Sequence, residues 1–124
     1  MRRNVLLRVK ELLETVERRL QNAELRLSAA LSRLSALDSE IARLCIERAQ
    51  TPAASDIAFD FGAIELKRRM AAALIEELRL SRAGAEAECD RLREESRLLL
   101  QRKLTLEAKI EDLIRDDRRK ARRA

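Results

Sequence analysis

Between Leu6 and Leu44 the chain places an apolar residue at every third or fourth position without a break. One row is Leu6, Leu13, Leu20, Leu27, Leu34 and Ile41; the other is Val9, Val16, Ala23, Ala30, Leu37 and Leu44. Side chains of a strand alternate with period two, so this spacing is incompatible with a sheet. It specifies one long helix carrying a narrow apolar seam, and such a seam is stable only when another helix covers it. The fold class is therefore all-α.

The rest of the composition agrees. Charged residues make up 40% of the chain and aromatics 2%, with two glycines and one proline. A chain rich in Ala, Leu, Glu and Arg and poor in breakers builds long helices rather than a layered core. Its apolar residues are periodic rather than sparse, which excludes intrinsic disorder. The longest apolar runs, Ala71 to Ile75 and Leu98 to Leu100, fall far short of the roughly 20 residues that a membrane-crossing helix requires. The basic start at Arg2 and Arg3 is followed by an apolar run that ends at Arg8, too short for a secretory leader, so a cytoplasmic location is expected.

Catalytic chemistry finds little to work with. There is no histidine, which removes the usual general base and the commonest metal ligand. Cys45 and Cys89 do not make a disulfide framework, and no glycine-rich phosphate loop is present. The acidic neighbours Glu76-Glu77, Glu94-Glu95 and Asp116-Asp117 point about 100° apart on a helix and do not converge. The expectation is a protein that is not an enzyme, with no cofactor, metal or small-molecule substrate.

Helix one is expected over about 3–50, ending where Thr51 precedes Pro52. Residues 51–62 hold the proline, one glycine and both phenylalanines, and read as a turn, with Asp56 or Asp60 placed to cap the second helix. Helix two is expected over about 63–120 with a basic C-terminal tail. Its regular row is Ile64, Ala71, Leu78, Ala85, Leu92, Leu99, Leu106 and Leu113; its companion row is mixed, with Arg68, Arg82, Ser96 and Lys103 among Ile75, Cys89 and Ile110. Two seams around a turn make an antiparallel coiled-coil hairpin, a single rod of roughly 70 Å with both termini at one end. A fold point near residue 57 sets Ala30 opposite Gly84 and Cys45 near position 69, leaving the two thiols too far apart to bond. Gly84 either lets the helices approach closely or is tolerated at about 1 kcal/mol relative to alanine.

The charge is uneven. Residues 118–124 carry Arg118, Arg119, Lys120, Arg122 and Arg123 and no acid, which equals the whole net charge of +5. With Arg2, Arg3 and Arg8, they make the terminal end basic. Such an end suits an acidic protein cavity, anionic lipid or nucleic-acid phosphates, and cations also favour a helix C-terminus on their own account. Nucleic acid is the less favoured partner, because no aromatic residue lies near the tail to stack on bases. At the turn, Phe59, Phe61 and Ile64 either pack across the top of the coil or offer a partner an apolar contact.

A two-helix hairpin of this length with a basic end, opening on Leu-Leu-Arg-Val-Lys-Glu-Leu-Leu at residues 6–13, resembles the central-stalk proteins of bacterial type III secretion. These are the YscO/HrpO family of injectisomes and the flagellar FliJ protein, similar to the coiled coil of the rotary-ATPase γ subunit. The chain departs from injectisome relatives in having no tryptophan near the end of helix one. The resemblance implies a non-enzymatic coupling protein at the periphery of the inner-membrane export apparatus. Its terminal end, here Arg2, Arg3, Arg8, Arg118, Arg119, Lys120, Arg122 and Arg123, would enter the hole of a hexameric secretion ATPase. Its tip, with Phe59, Phe61 and Ile64, would meet the cytoplasmic domain of the export gate, and secretion chaperones are a further implied partner. The alternative is a coiled-coil adaptor or chaperone-like scaffold.

Overall fold

A long helix with a thin apolar stripe is only marginally stable in water, and covering the stripe is what makes it persist. The computed structural model shows two helices doing this for each other; it describes residues 2–50 and 61–123, with Arg2 described in its backbone alone. They are α1, Arg2–Gln50, and α2, Phe61–Arg123. Two packed units are formed, one from Met1–Leu27 with Asp90–Ala124 and one from Ser28–Cys89. The first part of α1 therefore pairs with the last part of α2, and the hairpin is antiparallel.

All twelve seam positions of α1 are buried or half-buried, and the one other described residue of α1 so covered is Glu40. In the terminal unit the core is Val9, Val16, Leu20 and Ala23 of α1 with Leu92 of α2, which is 1% exposed. In the middle unit the core is Leu44, Ile64, Ile75, Ala85 and Cys89. The mixed row of α2 is covered as well: Arg68, Arg82, Ser96 and Lys103 are half-buried. Long basic stems thus complete the apolar contact while their charged heads stay in water. Ser96 fits less well, because its hydroxyl is buried with no hydrogen-bond partner.

The register matches the expected fold point. Ala29, Ala30 and Arg33 share a groove with Ser81, Gly84, Ala85 and Glu88, and Cys45, Arg48 and Ala49 share another with Arg68. Asp38 pairs across the hairpin with Arg82, whose guanidinium also reaches Glu86 at 2.8 Å. Both cysteines are free, Cys45 on the surface and Cys89 in the core.

The alternative left open at Gly84 is resolved, and both ends of α2 shift. A methyl group added at Gly84 would meet nothing within 4 Å, so no close approach of α1 demands a glycine there. Phe61 and Gly62 belong to the first turn of α2 rather than to the turn before it. Ile64, 7% exposed, can enter the seam only if the backbone ahead of it is already wound. At the other end α2 continues to Arg123, beyond the last seam residue, with Lys120, Arg122 and Arg123 in a final turn whose negative dipole end favours cations. Pro52, Asp56, Phe59 and Asp60, and the rest of 51–60, lie outside the described residues.

Leu92→Ala should cost about 3 kcal/mol in urea unfolding, because its whole side chain leaves the seam, while Leu25→Ala at a 65% exposed position should change little. Ser96→Ala should stabilise by about 1 kcal/mol, removing an unsatisfied hydroxyl and adding a better helix former. In a thiol-labelling experiment Cys45 should react at once and Cys89 only on unfolding.

Candidate docking surfaces

The basic segment expected to meet a partner is a bare helix. From Ile114 to Arg123 every residue is exposed, so α1 covers none of these turns. Arg119, Lys120 and Arg123 line one shallow groove with Asp116, and Arg118 lies in another with Glu111, Ile114 and Arg115. At about 100° per residue, Arg115, Arg118, Arg119, Lys120, Arg122 and Arg123 span roughly 200° of the helix circumference. A flat surface reaches a narrower stripe than that. A concave partner can reach the whole arc.

Arg3 and Arg8 are exposed in the same packed unit, although Arg8 lines a groove made only of α1 residues, Glu11, Leu12 and Thr15. The side chain of Arg2 lies outside the described residues.

The expected tip contact divides. Phe61 is 62% exposed at the start of α2, whereas Ile64 is drawn into the seam and offers no surface; Phe59 lies outside the described residues. The sequence reading did not single out Leu66, Met70, Leu74 and Leu80, which are exposed on α2. For Leu66, Met70 and Leu80 the signal that would have found them is a second three-four spacing, hidden behind the first.

The carboxylates are held along the helix surfaces by bases one turn away. Arg43 bonds Glu40 and, at 2.7 Å, Glu47; Arg97 donates to Glu94 at 3.0 Å; Glu76 lies 3.9 Å from Arg79. The hydrogen bond from Arg43 holds the Glu40 carboxyl below the usual range, and that from Arg97 does the same for Glu94. Both pairs face water, so they steady single helices and are poor candidates for acid-base chemistry. Among the described residues no three His, Cys, Asp or Glu side chains come together as a metal site, and no helix is long and apolar enough to cross a membrane. The geometry is that of a two-helix coiled-coil protein whose accessible features are surfaces rather than pockets. No family model, curated protein or solved structure matches the chain.

A carboxyl whose pKa is lowered on folding stabilises the fold above its ordinary pKa, and that contribution is lost as pH falls through the lowered value. Glu40→Gln with Glu94→Gln should therefore lower the thermal midpoint slightly near pH 7, and the difference should fade once the pH is low enough to protonate both carboxyls in the folded protein. Melting curves of the parent and the double variant near pH 7 and in acid test this.

Proposed function

We propose that this protein is a non-enzymatic coupling stalk of a bacterial type III secretion export apparatus, injectisome or flagellar. The observation that carries the reading is the uncovered end of α2, where basic side chains spread over an arc too wide for a flat partner. An acidic or polar hole in a hexameric ATPase is a partner of the matching shape and sign. Arg3 and Arg8 add positive charge to the same packed unit. The two-helix hairpin supports the reading further, since a stalk needs stiffness and surface rather than a reactive centre.

In this role the protein hydrolyses nothing. It biases the ring by making different contacts with different subunit conformations, and its effect is limited by how much those contacts differ in free energy. The charged contacts govern encounter and orientation, and salt weakens them. Phe61, exposed at the start of α2, is the described residue that would face the export gate.

The test is ATPase activity of the partner hexamer with full-length protein and with a variant lacking residues 118–124, at low and high salt. Truncation should leave helicity per residue unchanged, because nothing beyond Leu113 joins the seam. It should reduce stimulation at low salt, and the difference should shrink near 1 M, where the screening length is about 3 Å. Equal stimulation by both proteins would remove the basic end from the mechanism. Stimulation by neither would favour the adaptor or scaffold reading.

A further inference from the structure

Helix α2 carries a second apolar seam that α1 does not cover. Ala63, Leu66, Met70, Ala73, Leu80, Gly84 and Ala87 follow the same three-four spacing, interrupted once by Glu77, and all are exposed. Leu66, Met70 and Leu80 are 58%, 63% and 69% exposed. This row lies roughly 150° around the helix from the covered seam. It is local: the positions that would continue it are Arg91 and Glu94, and the corresponding face at the start of α1 holds Arg8, Glu11, Thr15 and Arg18. Apolar residues at a heptad spacing are complementary to another helix lying lengthwise along them.

We infer that this seam binds a second copy of the chain, with the two α2 helices antiparallel. Three observations select that occupant. The first is Glu77, at the middle of the seam. A parallel pair would set it against its own copy in a partly dry contact, whereas an antiparallel pair sets it opposite Ala73. The second is charge: Lys67 and Arg69 flank one end, Glu76 the middle and Glu88 the other end. Antiparallel pairing sets the end with Lys67 and Arg69 against the end with Glu88 of the second copy, with Glu76 beside its own copy at the centre; parallel pairing gathers like charges at each end. The third is shape. Gly84 lies in an open groove floored by Ala29, Ala30, Ser81 and Ala85 and also lined by Arg33 and Glu88, where an added methyl at Gly84 would touch nothing. The register that pairs Glu77 with Ala73 also seats Leu66 of the second copy over Gly84. A bulky exposed leucine meets a hole of small residues, twice, by the symmetry of the pair. The glycine that α1 does not need is thereby given a role.

Light scattering and sedimentation on the full-length chain should show a concentration-dependent dimer. Met70→Glu should return it to monomer with unchanged helicity, since that side chain makes no part of the covered seam. Orientation is read by cysteine pairs in a Cys45→Ser background. Leu66→Cys mixed with Gly84→Cys under oxidised glutathione should give a cross-linked heterodimer, and Leu66→Cys alone should give none. Positions 66 and 84 are roughly 27 Å apart along one helix, so the bond must join two copies. A protein monomeric at about 100 µM, a dimer indifferent to Met70→Glu, or efficient cross-linking of Leu66→Cys to itself would each overturn the inference.

Discussion

Everything in this molecule depends on one contact, a strip of apolar side chains about two residues wide between α1 and α2. Neither helix has another reason to persist, because isolated helices are marginal and the surface ion pairs contribute little in water. The strip is also thin. Its deepest members, Leu92, Cys89, Ala23 and Ile75, each meet one facing helix rather than a surrounding core. Such a contact buries side chains in a double row and has no interior in which to build a pocket. The open form of the grooves beside it follows from the architecture itself.

The thinness explains how polar residues are accommodated. Arg68, Arg82 and Lys103 sit in seam positions that a globular core would reject, because each head can reach water by extending sideways. Ser96 is too short to do so, and its hydroxyl is left without a partner. A basic residue is a better occupant of a narrow seam than a small polar one.

Most of the hairpin was legible in the sequence because one periodicity dominates α1. The twelve seam positions are the covered ones, and the shared groove of Ala30 with Gly84 and Ala85 reproduces the pairing expected from a fold point near 57. What was not legible lies where burial stops being the cause. The end of α2 is helical through Arg123 on local grounds, charge against dipole, and an apolar pattern cannot reveal that. Ile64 was legible in two ways, as the first member of the regular row and as a contact at the tip, and burial decides for the row. Leu66, Met70 and Leu80 were overlooked because one seam already satisfied the requirement for a partner helix. The family resemblance rests on layout and charge.

The uncovered turns of α2 after Leu113 have a thermodynamic consequence. Helix there is supported only by its own hydrogen bonds and charges, so its ends open at a small fraction of the free energy that unfolds the seam. A partner that grips these turns must supply the entropy of ordering them, which lowers its net affinity below what the charges alone suggest. In the coupling role proposed above, where a stalk must let go as well as hold, that loss has a use. Contacts made by a fraying helix can be surrendered turn by turn, so release proceeds through many small barriers instead of one large one.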